Sequence, residues 1–105
     1  MPNNNTILQQ TKASVLATEL SATVILYRSY AHGNNRPTSD IDILVLVDKS
    51  NLTKADQKGI QYPLYDIEFE TGILISPMVL LKKDWEAKHH FTPFDKNIIN
   101  EGQLL

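Results

Sequence analysis

Cysteine is absent from this 105-residue chain, which excludes a disulfide framework and any thiolate nucleophile or thiolate metal ligand. A surplus of positive charge is missing too: ten Lys and Arg stand against twelve Asp and Glu, for a formal charge of −2. Without a Lys/Arg stripe to follow a phosphate backbone, a dedicated nucleic-acid surface is not expected, although a single nucleotide stays within reach. Neither an apolar run of transmembrane length nor the apolar core of a signal peptide is present. The chain is therefore expected to be a soluble cytoplasmic protein with no membrane partner. No repeat or linker divides it, and 42% hydrophobic residues over this length fill one core. A single domain over residues 1–105 is expected, its core at about 5–85 and a short terminal helix at about 93–101.

What is present is concentrated around Asp40-Ile41-Asp42, which leads into Leu44-Val45-Leu46-Val47. Side chains alternate faces along a strand, so Asp40 and Asp42 share a face with their Cβ atoms roughly 7 Å apart, while Ile41 points to the core. Two carboxylates held this close repel unless a cation lies between them, and all-oxygen ligands favour a hard ion such as Mg²⁺. A lone Asp at a strand start often does no more than end a turn. A second acid two residues on, in an otherwise apolar strand, is hard to explain structurally, because burying an unpaired carboxylate is costly. The pair reads as a metal site, and the expected substrate is a metal-bound phosphate.

The surrounding pattern places this pair in a fold. Ile7, Val15, Leu16 and Leu20 recur at roughly helical spacing after a polar start, predicting one amphipathic helix. A strand is predicted over about 23–28, a polar loop over 30–39 and a central strand over 40–48, covered on both faces. Thr53 is placed to cap a helix from about 54, with Ile60, Leu64 and Ile67 on its buried side and Pro63 expected to kink or restart it. A third strand at about 73–80 contains Pro77, which marks an edge or a bulge and leaves an edge available to partners. Thr92-Pro93 reads as the start of the terminal helix, which carries Ile98 and Ile99 and ends at Gly102. Trp85 is expected to pack as a lid at the core edge. The adjacent pair His89-His90 reads as solvated loop, since neighbouring side chains diverge.

Ser29, then ten residues, then Asp40-x-Asp42, preceded by Thr23-Val24-Ile25-Leu26-Tyr27, resembles the Gly-Ser, ten residues, Asp-x-Asp motif of the nucleotidyltransferase superfamily. In size and order the chain is most similar to the minimal nucleotidyltransferase branch, over about residues 5 to 85. The resemblance implies an α/β (α+β) nucleotidyltransferase fold: a small mixed sheet with helices mainly on one face. It further implies Mg²⁺, one ion or two, held by Asp40 and Asp42, and ATP or another nucleoside triphosphate as substrate. Arg28, Ser29, His32, Gly33 and Ser39 fall at its nucleotide-binding positions. The implied reaction transfers a nucleoside monophosphate to a hydroxyl acceptor. The branch often acts on a helical HEPN-type partner as the antitoxin of a toxin–antitoxin pair, and an exposed sheet edge is compatible with a homodimer.

Two departures from the motif separate an active transferase from a catalytically weakened, partner-binding relative. Arg28 stands where the family has Gly, a position that favours a close approach of backbone to phosphate. Its side chain either obstructs the pocket or binds a phosphate through its guanidinium fork. The third carboxylate that relatives supply from a later strand aligns with Ser76 here. Glu70, with Glu68 beside it, is the nearest substitute and is taken as the third acid.

Overall fold

The computed structural model describes residues 4–27, 41–87, 96, 98–100 and 102–105. Along these the chain forms α1 (Asn4–Thr18), β1 (Thr23–Tyr27), β2 (Ile41–Val47), α2 (Lys54–Thr71), β3 (Ile75–Leu81), α3 (Lys82–Ala87) and β4 (Gln103–Leu104). Residues 98–100 are also helical. The strands make one mixed sheet in the order β3-β2-β1-β4. β1 is antiparallel to both β2 and β4, whereas β2 and β3 run parallel. A parallel pair needs a long crossover, and α2 supplies it.

Alternation along the strands sorts the core into two sides. Val24 and Leu26 of β1, Ile41, Ile43, Val45 and Val47 of β2, and Ile75 and Val79 of β3 join Ile7 and Val15 of α1 and Ile60 and Leu64 of α2. On the other side Tyr27, Leu44 and Leu46 meet Trp85 of α3 and Ile98. β2 is thus covered on both faces, as its continuous apolar run predicts, and Trp85 is buried at the edge of the smaller cluster. α1 and α2 share the larger side, in keeping with helices mainly on one face. Thr11 is the fully buried polar residue of α1, and its hydroxyl donates to the Ile7 carbonyl at 2.8 Å, so its burial leaves no donor unpaired.

α2 shows why its ends fall where they do. The Thr53 hydroxyl accepts from the Asp56 N–H while an Asp56 carboxylate oxygen accepts from the Thr53 N–H, both at 3.1 Å, completing a reciprocal cap. At the far end Gly72 adopts φ 73°, a left-handed conformation suited to glycine, and donates to the Glu68 carbonyl at 2.8 Å. Pro63 does not restart the helix, which is one run from Lys54 to Thr71. Ile60 and Leu64, both buried, anchor it on either side of the proline, and burial of that stripe outweighs the one backbone hydrogen bond that proline removes.

β3 starts at Ile75 rather than near 73 because the preceding residues serve the helix end: the Ile73 N–H donates to the Thr71 hydroxyl at 3.2 Å. It lies at the sheet edge, as Pro77 indicates. That edge is less available than expected. Ile41 N–H donates to the Leu74 carbonyl, so in a parallel pair the even-numbered residues of β3 face β2 and the odd-numbered ones face outward. Of the outward N–H groups, that of Ile75 is taken by a Glu68 carboxylate oxygen at 2.7 Å, and Pro77 has none.

α3 and β4 are elements that the pattern of the sequence does not announce, being short and largely determined by packing. The terminal helical residues end as expected at Gly102, whose N–H donates to the Ile98 carbonyl at 2.9 Å. A Cβ there would lie 2.5 Å from that carbonyl oxygen and 2.8 Å from Ile25 Cγ2, so only glycine fits. Leu20, expected on the first helix, lies beyond its end and is exposed. Thr92, Pro93, His89 and His90 lie outside the described residues. No helix among the described residues is long and apolar enough to cross a membrane.

Candidate functional site

The site is built outward from Asp42, the second residue of the central strand. It is half-buried, and the other six residues of β2 are buried. Strand alternation sends its side chain to the side of Leu44 and Leu46, opposite the side covered by α1 and α2. In register it stands between Tyr27, the last residue of β1, and Ser76 of β3. Tyr27 is buried and Ser76 is exposed. The carboxylate is therefore backed by an aromatic wall on one side and opens toward a hydroxyl-bearing edge strand on the other.

Residues 28–40 leave from Tyr27 and return at Ile41, so they connect two adjacent strands at the end where Asp42 sits. Six of the expected site residues, Arg28, Ser29, His32, Gly33, Ser39 and Asp40, lie outside the described residues. Of the remaining two, Asp42 is placed as above, and Glu70 is exposed on α2, the helix that covers the opposite side of the sheet. Glu68 accepts the Ile75 N–H and so ties the end of α2 to the start of β3. Among the described residues no group of three or more His, Cys, Asp or Glu is arranged to hold a metal ion.

The donors that are described suit a hard divalent cation. Asp42 offers carboxylate oxygen, Ser76 a hydroxyl oxygen on the neighbouring strand, and the chain has no cysteine thiolate. Tyr27 is a neighbour that sequence reasoning did not assign to the site. Its position opposite Asp42 depends on the pairing register, which periodicity within one strand does not encode. The signal for it was the aromatic residue ending the first strand just before the motif.

Residues 10–105 match the family model for the polymerase beta nucleotidyltransferase domain. Over 60 residues the chain is 40% identical to a Methanocaldococcus jannaschii protein provisionally named a protein adenylyltransferase. That similarity covers 56% of this chain and 59% of the relative, so the chain spans less than two thirds of the curated protein it matches.

Proposed function

This chain belongs to the polymerase beta nucleotidyltransferase family, and we propose that within it the protein transfers a nucleoside monophosphate, AMP from ATP, to a hydroxyl acceptor in a Mg²⁺-dependent reaction. The observation that carries the reading is Asp42: a half-buried acid at the mouth of a strand whose other six residues are buried, beside Ser76 and two residues after the Asp40 of the motif. A carboxylate there supplies oxygen donors of the kind that a hard divalent cation takes.

In this reading Asp40 and Asp42 would hold the ion, and Arg28, Ser29, His32, Gly33 and Ser39 bind the nucleotide; Glu70, expected as the third acid, is exposed on the helix across the sheet from Asp42 and is not given that role. When bound, Mg²⁺ neutralises charge on the phosphate oxygens. Ser29 and the N–H groups after it hold the β- or γ-phosphate, since clustered amides favour anions. The acceptor oxygen attacks the α-phosphorus, the bond to the bridging oxygen breaks and pyrophosphate leaves. The acceptor proton passes to a carboxylate of the site. Tyr27 and the buried residues behind it fix the Asp42 backbone, so the carboxylate is aimed before substrate arrives.

The acceptor we favour is a HEPN-type protein, with this chain as the antitoxin of a cytoplasmic toxin–antitoxin pair, and a homodimer is a further expected assembly. The relative's name, a protein adenylyltransferase, supports a protein acceptor. Ser76 in register with Asp42, in place of an acid, favours a second reading in which catalysis is weakened and partner binding is the main role.

Calorimetric titration with ATP and the other nucleoside triphosphates, with and without Mg²⁺, tests the proposal. Mg²⁺-dependent binding to the wild type and its loss in Asp42→Asn is the expected result. Binding of no triphosphate, or binding indifferent to Asp42→Asn, overturns it.

A further inference from the structure

The outward face of α2 carries an order of charges that its own helix does not favour. Lys54, Lys58, Tyr62, Asp66 and Glu70 follow one another at four-residue intervals, and all five are exposed. Basic groups stand in the N-terminal half and acidic groups in the C-terminal half, the reverse of what a helix dipole stabilises. Each half also sets like charges four residues apart, Lys54 with Lys58 and Asp66 with Glu70, another unfavourable arrangement within one helix. The ion pairs among the described residues go elsewhere: Lys49 pairs with Glu19 at 3.6 Å and with Asp56 at 3.3 Å.

The same order is self-complementary about Tyr62. A second α2 laid antiparallel, with a two-fold axis at Tyr62, sets Lys58 opposite Asp66 and Lys54 opposite Glu70 of the other copy. It relieves both conflicts at once. An apolar pair obeys the same symmetry, large against small: Phe69 falls opposite Ala55, and both are exposed. Phe69 is 93% exposed and Tyr62 is 55% exposed, and the Tyr62 and Tyr65 rings lie 5.9 Å apart, so an aromatic surface stands unburied beside these charges.

We propose that this face of α2 is the two-fold interface of a homodimer in which two α2 helices cross antiparallel at Tyr62, with Lys58 of each copy paired to Asp66 of the other. A closed two-fold contact uses one patch on both partners, which this row satisfies. The interface is the helix face rather than the β3 edge. It leaves the Asp42 side of each sheet open, because α2 packs on the opposite side.

Analytical ultracentrifugation of the full chain over a range of concentration and salt tests this, with circular dichroism confirming that each variant is folded. Wild type is expected to sediment as a dimer of 11.9 kDa subunits that loosens as salt rises. Lys58→Glu and Asp66→Lys each place like charges across both pairs and are expected to raise the dimer dissociation constant by about tenfold or more. Mixing these two variants restores both pairs and is expected to give a heterodimer, and the double variant K58E/D66K a homodimer. Phe69→Ser, at an exposed position, is expected to give monomer. A wild type that stays monomeric, single reversals that leave the dimer intact, or a mixture that fails to associate overturns the proposal.

Discussion

At Asp42 the protein holds a carboxylate where every other residue of the strand is buried, and the neighbours in register decide what that carboxylate does. Ser76 contributes a neutral oxygen one strand away. Ser76→Asp adds a second charge beside Asp42, so the metal-free variant should be less stable through repulsion while its affinity for Mg²⁺ rises by about tenfold. Thermal unfolding with and without Mg²⁺ checks both signs in one experiment. Arg28→Gly should strengthen nucleotide binding if the arginine obstructs the pocket. A fall in affinity makes Arg28 a phosphate ligand instead. Asp42 was legible in the sequence because it breaks an apolar run, whereas Asp40 lies outside the described residues. The neighbours Tyr27 and Ser76 were legible only in part, since strand alternation gives a residue's face but pairing register gives its partner.

Among the elements, β2 and α2 were the most readable. A long apolar run and a Thr cap followed by helical spacing each fix their element locally, and both ends of α2 are closed by cap hydrogen bonds. The restart allowed for at Pro63 does not occur, because local propensity is weaker than burial of Ile60 and Leu64 around it. α3 and β4 escaped because elements of six and two residues carry no measurable period. The N-terminal cap also makes a pH prediction. The N–H of Thr53, then Lys49 and the Thr53 hydroxyl, hold the Asp56 carboxyl below its ordinary 3.8. A lowered folded-state pKa means that its contribution is complete above pH 3.8 and is lost as pH falls through the lowered value. Lys49, raised above 10.5 first by its hydrogen bond to Asp56, contributes below that pH and loses its share as pH climbs through the raised value. Urea unfolding of wild type and Asp56→Ala should therefore differ by a constant amount near neutrality, and the two curves should converge in strong acid and approach each other in strong alkali.

For the whole molecule, the division of labour between the two sides of the sheet matters most. α1 and α2 cover one side and leave the other, with Asp42 at its end, to the smaller cluster around Trp85. The mixed sheet and the order of the long elements followed from the sequence, as did family membership, expected over about residues 5–85 and matched over 10–105. Which side each helix covers did not follow, because an amphipathic helix fits either side of a strand buried on both. The rim of the sheet bears on how the protein behaves at high concentration. Amyloid growth adds strands one at a time to a free row of N–H groups, and here that row is interrupted at Ile75 by Glu68 and at Pro77 by the lack of a donor. Replacing both, as in E68A/P77V, should leave a folded protein that nevertheless gains thioflavin-positive fibrils on prolonged incubation, whereas wild type stays clear. The same two residues that end α2 and mark the sheet edge thus also guard the β3 rim against a further strand.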